Sequence, residues 1–163
     1  EACIENLLQA GIEDLIVVLG HEADRITNYL LQKSYPIKIV VNEDYRLGMT
    51  TSVQKGLLHI DPSSSAFLIA LVDQPQIGAE VVELLLESSG QNLIVQPRFD
   101  GKAGHPVIFS SLLKNEILLL SPTEGLNLIS RRYRERILFV DVDSVSVLED
   151  IDTPEEYKRQ IEK

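Results

Sequence analysis

Apolar residues along this chain alternate between short continuous runs and stretches with helical spacing. The runs Leu15–Leu19 and Ile37–Val41 have the length and β-branched content of buried strands. Between them, residues 22–32 carry apolar side chains at helical spacing, including Ile26 and Leu30. Strand–helix–strand alternation is typical of right-handed parallel crossovers. The pattern therefore predicts an α/β fold with a mostly parallel central sheet.

The chain is organised around an uncharged apolar run that begins at Ala66 and ends abruptly at Asp73-Gln74-Pro75. Such a run, followed by a turn and by the restricted residue before a proline, predicts a central strand buried on both faces. Ligands of open α/β sheets bind at the carboxyl ends of strands. We therefore expect Asp73 to hold a divalent metal. The alternative is that Asp73 only caps the following turn.

The remaining pattern continues the alternation without a linker, a repeat or a low-complexity tract, so residues 1–163 are predicted to form a single domain. We expect helices over residues 1–10, 52–60, 78–88, 111–119 and 126–136, and strands over 93–95, 107–109 and 137–142. A glycine-bearing loop or hairpin begins at Pro97. Thr153-Pro154-Glu155 predicts the start of a last helix, with a cap, a proline at the first position and an acidic first turn.

The composition and the absence of several motifs disfavour some classes of partner and of protein. Of 163 residues, 25 are acidic and 15 basic, giving a net charge of −10, which disfavours nucleic-acid and anionic-membrane partners. The single cysteine, Cys3, excludes an internal disulfide and fits a reducing cytoplasm. No apolar stretch has transmembrane length. Nucleophile-elbow, Walker and G-x-G-x-x-G motifs are absent, which disfavours α/β-hydrolases, P-loop NTPases and dinucleotide-binding domains.

Three further segments could carry chemistry. Gly48, Thr50, Thr51 and Ser52 surround the expected start of a helix, which either binds phosphate or is simply capped by a threonine. His105, between Gly104 and Pro106, could bind substrate, act as a general base or satisfy a loop carbonyl. Arg98 and Lys102 flank this histidine and could meet phosphates.

A second acidic element, Asp150 and Asp152, follows the last predicted strand region. Asp73 and Asp152 together would form a hard oxygen site suited to Mg²⁺, which takes substrate phosphates as further ligands. For Asp150 we favour a capping role or a solvated position. Arg131, Arg132, Arg134 and Arg136 are expected to form a solvated surface cluster.

Four segments in order together resemble the nucleotidyltransferases that make molybdenum cofactor dinucleotides, above all the molybdenum cofactor cytidylyltransferases. They are Gly48–Leu57 (G-M-T-T-S-V-Q-K-G-L), Leu71–Pro75 (L-V-D-Q-P), Gly101–Phe109 (G-K-A-G-H-P-V-I-F) and Asp150–Tyr157 (D-I-D-T-P-E-E-Y). The resemblance spans nearly the whole chain. It implies a Rossmann-like, three-layer, glycosyltransferase-A-like fold.

The resemblance also implies an enzyme, a Mg²⁺-dependent nucleotidyltransferase that transfers CMP from CTP to molybdopterin cofactor and releases pyrophosphate. It matches Asp73 and Asp152 to the metal ligands. It places Gly48, Thr50, Thr51, Ser52, Gln74 and Pro75 near the nucleotide, and Gly104 with the catalytic His105 on the acceptor side. A molybdoenzyme or a second copy of the chain is a further expected partner.

The family opens with a strand and a glycine-rich loop that this sequence lacks, since Glu1 aligns after it. We therefore expect a domain truncated at its amino terminus relative to the family. Two alternatives stay open: a nucleotidyltransferase for another small phosphate acceptor, and a non-catalytic accessory protein that binds molybdenum cofactor.

Overall fold

The computed structural model describes residues 1–151 and 153, and these form an α/β protein. Its strands are β1 (Leu15–Leu19), β2 (Ile37–Val41), β3 (Ala66–Ile69), β4 (Ile94–Phe99), β5 (Lys102–Ala103), β6 (Val107–Ser110) and β7 (Ile137–Asp141). Its α-helices are α1 (Ala2–Gln9), α2 (Ala23–Gln32), α3 (Met49–Leu57), α4 (Ala79–Ser89), α5 (Lys114–Leu118) and α6 (Asn127–Arg132). The α/β class predicted from the pattern is confirmed.

Strands β1 and β2 form a two-stranded parallel sheet, paired from Leu15↔Ile37 to Leu19↔Val41. Both are rich in β-branched residues, which favour extended backbone. Helix α2 joins them as the crossover that a parallel pair requires. This strand–helix–strand unit has the boundaries that the hydrophobic pattern predicted.

The second sheet is mixed, with strand order β3-β6-β4-β5 and with β7 also paired to β4. Strand β4 runs antiparallel to β5 and β6 and parallel to β7. Among the described strands, β3 therefore lies at an edge of this sheet, whereas the sequence predicted a central strand of a mostly parallel sheet. Strand β4 pairs antiparallel with β5 because a short hairpin connects them, and hydrophobic runs alone do not reveal such a connection.

The chain divides into two compact units. The first comprises Glu1–Ile12, Leu68–Phe109 and Glu135–Lys163, and the second comprises Glu13–Phe67 and Ser110–Arg134. Fully buried apolar side chains fill each unit: Leu85, Ile94, Val95 and Val147 in the first, and Ile117 and Ile129 in the second.

Three predicted elements differ in extent. Strand β3 ends at Ile69, and Val72 is 86 % exposed, because the chain leaves the sheet before the turn at Asp73. Strand β4 continues through Pro97, whose carbonyl accepts from Gly104 N (2.9 Å) although the proline has no N–H. The helix predicted over 126–136 is interrupted at Tyr133, whose hydroxyl donates to Glu116 Oε2 at 2.8 Å.

Two smaller expectations concern helix ends. Ser110 accepts a hydrogen bond from Leu112 N and so caps the start of the segment predicted to be helical over residues 111–119. Neither Thr50 nor Thr51 caps α3, because the helix begins earlier, at Met49, and Gly48 occupies the cap position. The predicted carboxy-terminal helix lies outside the described residues, and no described helix is long and apolar enough to span a membrane.

Candidate functional site

Asp73 lies in the turn that follows β3, in the first unit, and its side chain is half-buried. Its carbonyl oxygen accepts from Ile151 N at 2.8 Å, which fixes the main chain of the turn. Its Oδ1 atom is buried and has no hydrogen-bond partner among the described residues. A buried carboxylate oxygen without a partner is unfavourable unless a donor or a cation completes it. This observation favours a ligand role over the turn-capping alternative.

Gln74 is 4 % exposed, and its Nε2 atom donates to Asp150 Oδ1 at 2.7 Å. Because an ionised carboxylate only accepts hydrogen bonds, the amide nitrogen must face Asp150. The amide oxygen, Oε1, therefore faces inward, where it is buried without a partner. Gln74 also lines a cavity of about 20 Å³ whose other lining residues are largely apolar.

The rest of the turn is held from two sides. Asn6 of α1 donates through Nδ2 to Pro75 O (3.2 Å) and Ile77 O (2.7 Å). Gln76 donates through Nε2 to Ser146 O (3.3 Å) and Glu149 O (2.6 Å), and its buried Oε1 has no partner. The backbone from Asp73 to Ile77 is thus fastened by its neighbours, as a site that must hold a fixed geometry requires.

His105 approaches the same segment from the loop before β6. Its N–H donates to Val147 O (2.9 Å), and the His105–Pro106 peptide bond is cis. Gly104 packs so closely on the Val147 carbonyl that an added Cβ would overlap it. Gln96 Nε2 donates to Gly104 O at 3.0 Å. The imidazole is half-buried, and within the part of the chain that the structure describes its Nδ1 atom has no hydrogen-bond partner.

Burial lowers the pKa of His105, while the carboxylates of Asp150 and Asp73 act in the opposite direction. The turn that carries Asp73 and Gln74 and the loop that carries Gly104 and His105 both belong to the first unit, and both bond to the segment of residues 146–151.

Asp150 is exposed, as expected for a solvated position, and it also accepts a hydrogen bond from the buried Gln74. No local spacing in the sequence indicates this contact. Gln76 was not singled out at all. The polar residues of D-Q-P-Q, directly after the apolar run, are the sequence feature that points to Gln76 as a site residue.

The second metal ligand of the prediction, Asp152, lies outside the described residues. Within the described part of the chain, no group of three or more histidine, cysteine or acidic side chains could hold a metal ion. The assignment of Asp73 and Asp152 to a metal stays a prediction.

The Gly48–Ser52 turn belongs to the second unit, where it begins α3. Gly48 has φ of 136°, a conformation that side-chain-bearing residues rarely adopt, and an added Cβ would meet Pro122 O. Thr50 and Thr51 are 2 % and 9 % exposed. Thr50 Oγ1 donates to Glu124 O.

The hydroxyl groups on this turn are engaged within the unit. Thr51 Oγ1 donates to Gly48 O (2.8 Å), and the buried Asn42 donates through Nδ2 to Thr51 Oγ1 (2.9 Å) and Ser52 Oγ (3.0 Å). These contacts shape the helix start. The role of Gly48, Thr50, Thr51 and Ser52 in nucleotide binding stays a prediction.

Arg98 pairs with Asp141 through Nε–Oδ1 (2.7 Å) and Nη2–Oδ2 (3.0 Å) contacts, so its guanidinium donates to both carboxylate oxygens. Arg132 pairs with Glu116. The expectation that Arg98 meets phosphates stays a prediction. Four arginines are exposed, as expected for a solvated surface cluster: Arg131, Arg132, Arg134 and Arg136.

Comparison with known proteins gives the family: residues 1–137 match the model of the MobA-like NTP transferase domain. The chain belongs to that family, and the predicted class of protein, an NTP transferase domain, is confirmed at the level of the family.

Two curated relatives match over 86 residues, or 52 % of the chain. The bifunctional protein GlmU of Symbiobacterium thermophilum is 29 % identical over 17 % of its own length. The bifunctional IPC transferase and DIPP synthase of Rubrobacter xylanophilus is 28 % identical over 19 % of its length. The matched region thus spans less than a fifth of either relative.

Solved structures share the fold over most of the chain. Rv0371c of Mycobacterium tuberculosis H37Rv, in complex with manganese, is 23 % identical with a TM-score of 0.82 and covers 99 % of this chain and 85 % of its own. Its homologue from Mycobacterium sp. strain JC1 is 26 % identical, with a TM-score of 0.84, over 99 % and 80 %. Molybdopterin-guanine dinucleotide biosynthesis protein A of Archaeoglobus fulgidus is 16 % identical, with a TM-score of 0.59, over 90 % and 76 %.

Proposed function

We propose that this chain is a divalent-metal-dependent nucleotidyltransferase domain that transfers a nucleotidyl group from a nucleoside triphosphate to a phosphate-bearing acceptor. In this reaction an acceptor phosphate oxygen attacks the α-phosphorus, the new P–O–P bond forms, the bond to the β-phosphate breaks, and pyrophosphate leaves. The observation that carries the proposal is the buried, unpartnered Oδ1 of Asp73 in a turn fixed by its neighbours.

Asp73 fits a hard divalent cation, because an unpartnered carboxylate oxygen is the donor type that Mg²⁺ and Mn²⁺ prefer. We assign Asp152 as the second protein ligand. Its sequence neighbour Ile151 is hydrogen bonded to the Asp73 carbonyl, which supports this assignment. The manganese complex of the mycobacterial relative supports a divalent ion as well. Such an ion supplies neutralisation of the phosphate charge during an in-line displacement.

The protein's own residues then orient the reactants. The lowered pKa keeps His105 neutral near pH 7, so its Nδ1 can exchange a hydrogen bond with the acceptor. Gln74, Pro75 and Gly104 shape the surroundings of Asp73 and His105. The Gly48–Ser52 helix start, with its backbone N–H groups, is assigned to the nucleotide.

For the particular substrates, we propose CTP and molybdopterin cofactor, with Mg²⁺ as the ion. Support comes from the four sequence segments and from the shared fold of the protein that makes molybdopterin-guanine dinucleotide. Another small phosphate acceptor is the competing candidate, because GlmU and DIPP synthase are among the relatives.

A screen of the four nucleoside triphosphates against both acceptor classes tests the proposal. We expect Mg²⁺-dependent and acceptor-dependent release of pyrophosphate, highest with CTP and molybdopterin cofactor. Asp73→Asn should lower kcat by about 100-fold or more, since a charged group that acts in the transition state is lost. Full turnover by Asp73→Asn would refute the metal assignment, and a preference for a sugar phosphate would select the competing acceptor. Binding of the acceptor with no turnover of any triphosphate would favour the non-catalytic accessory protein.

A further inference from the structure

The segment Ser146–Ile151 contacts both candidate catalytic turns of the first unit. The carbonyls of Ser146 and Glu149 accept hydrogen bonds from Gln76 Nε2. Ile151 N donates to the Asp73 carbonyl. The segment also accepts the His105 N–H on the Val147 carbonyl. One stretch of backbone therefore determines where Asp73 and His105 lie relative to each other.

The side-chain contact between Asp150 and Gln74 has a defined polarity, because a carboxylate only accepts hydrogen bonds. Asp150 is exposed, and Gln74 is almost completely buried. The 2.7 Å bond from Gln74 Nε2 to Asp150 Oδ1 fixes the amide so that its oxygen faces inward. Without the carboxylate, an amide can rotate and exchange its nitrogen and oxygen ends.

We propose that Asp150 is a positioning residue of the nucleotidyl-transfer site, acting through Gln74 to hold the Asp73 turn against the Ser146–Ile151 segment. This inference rests on the proposed function for its consequence in catalysis. Asp150 does not contact the reacting atoms; it fixes Gln74, and Gln74 adjoins Asp73. Its contribution is therefore to the geometry of the carboxylate and the imidazole.

The competing explanation is that Asp150 is itself a metal ligand. Exchanging the acidic and amide side chains between Asp150 and Gln74 distinguishes the two explanations. In Asp150→Asn the residue can no longer act as a pure acceptor. In Gln74→Glu two carboxylates face each other and repel. In the double variant Gln74→Glu/Asp150→Asn, the asparagine amide donates to the glutamate, and the second glutamate oxygen still faces inward. The hydrogen bond is restored with its donor and acceptor exchanged.

Steady-state kinetics on the full chain give the first measurement. Each single variant should lower kcat by about tenfold, the scale found when outer-shell partners of a site are lost. The KM for the triphosphate should stay within about twofold, because the Gly48–Ser52 turn is unchanged. The double variant restores the hydrogen bond but places a carboxylate oxygen inward, so its kcat should rise above that of Gln74→Glu without reaching that of the parent. Asp143→Asn removes an exposed carboxylate of the same unit and should behave like the parent.

Two results would overturn the proposal. Parental kcat in Asp150→Ala, which removes the acceptor of this hydrogen bond, would show that the pair positions nothing. A double variant that stays as impaired as Asp150→Asn, with equally weakened Mn²⁺ binding by electron paramagnetic resonance, would identify Asp150 as a ligand instead.

Hydrogen exchange keeps this test separate from the proposed function. If the parent protein shows no transfer activity, amide exchange of residues 145–151 still reports the pair. We expect faster exchange in both single variants and parental exchange in the double variant. Unchanged exchange in the single variants would refute the positioning role, whatever the activity.

Discussion

Gly104→Ala gives the sharpest test of how the loop carrying His105 is held. Gly104 has no positive φ, so the substitution introduces no backbone strain of its own. The added Cβ would instead overlap the Val147 carbonyl, a main-chain atom that cannot turn away. The loop or the Ser146–Ile151 segment must then shift, and the bond from His105 N to Val147 O is lost or lengthened.

The expected destabilisation follows from these two contacts. Overpacking against a rigid neighbour costs about 1–3 kcal/mol, and the hydrogen bond contributes about 1 kcal/mol. The sum is about 2–4 kcal/mol, which lowers the Tm of a chain of this length by roughly 4–16 °C. Differential scanning calorimetry measures the change directly.

Gly78→Ala is the matched control, because Gly78 also lacks a positive φ and its added Cβ would also overlap a neighbour. That neighbour is the carboxylate of Glu80, which ends a flexible side chain and can move aside. We expect a change of less than about 1 kcal/mol, since only the helix cap is altered. If Gly104→Ala melts within about 2 °C of the parent, or if both variants lose equal stability, the steric argument is wrong.

Two further predictions concern the second unit. Thr50→Val should lower the free energy of unfolding by about 1 kcal/mol because the hydrogen bond to Glu124 O is lost, whereas Thr50→Ser should retain this bond. Chemical denaturation of the two variants measures the difference, and equal losses of stability would contradict the prediction. The Lys38 ammonium, 2.6 Å from Asp14, lowers the pKa of that carboxyl, so the pair stabilises the protein above the unfolded-state pKa of Asp14. Asp14→Asn should lower the Tm by an amount equivalent to less than about 1 kcal/mol, because the pair is exposed. This difference from the parent should vanish as the pH falls through the folded-state pKa of Asp14. A difference that grows in acid would contradict this.

The sequence allowed the local elements to be predicted where a hydrophobic pattern and a punctuating residue agree. Strands β1 and β2 have the predicted boundaries, and α1, α2 and α4 lie within a residue or two of their predicted ends. In these elements the period of the apolar positions reflects the face that is buried, so the local pattern is sufficient.

The differences arise where distant contacts decide the conformation. An apolar run cannot show where a strand leaves its sheet, so the exposed Val72 was assigned to a buried strand. Proline normally argues against a strand interior, yet Pro97 lies within β4, where its carbonyl still bonds to Gly104 N.

The candidate site was predicted in its residue types more than in its contacts. Asp73 and His105 were identified from their positions after an apolar run and within a glycine–proline turn. The hydrogen bond between Gln74 and Asp150 joins residues 76 positions apart, and no local spacing predicts it. Its consequence, an inward amide oxygen, is visible only once both partners are placed.

The central claim, that Asp73 binds a divalent cation, is tested most directly by titrating the chain with Mn²⁺ and following free Mn²⁺ by electron paramagnetic resonance. We expect saturable binding by the parent protein, strengthened by a nucleoside triphosphate, and at least about tenfold weaker binding by Asp73→Asn. Asp143→Asn should bind as the parent does. Equal Mn²⁺ affinity in the parent and in Asp73→Asn would contradict the assignment of Asp73 to the metal.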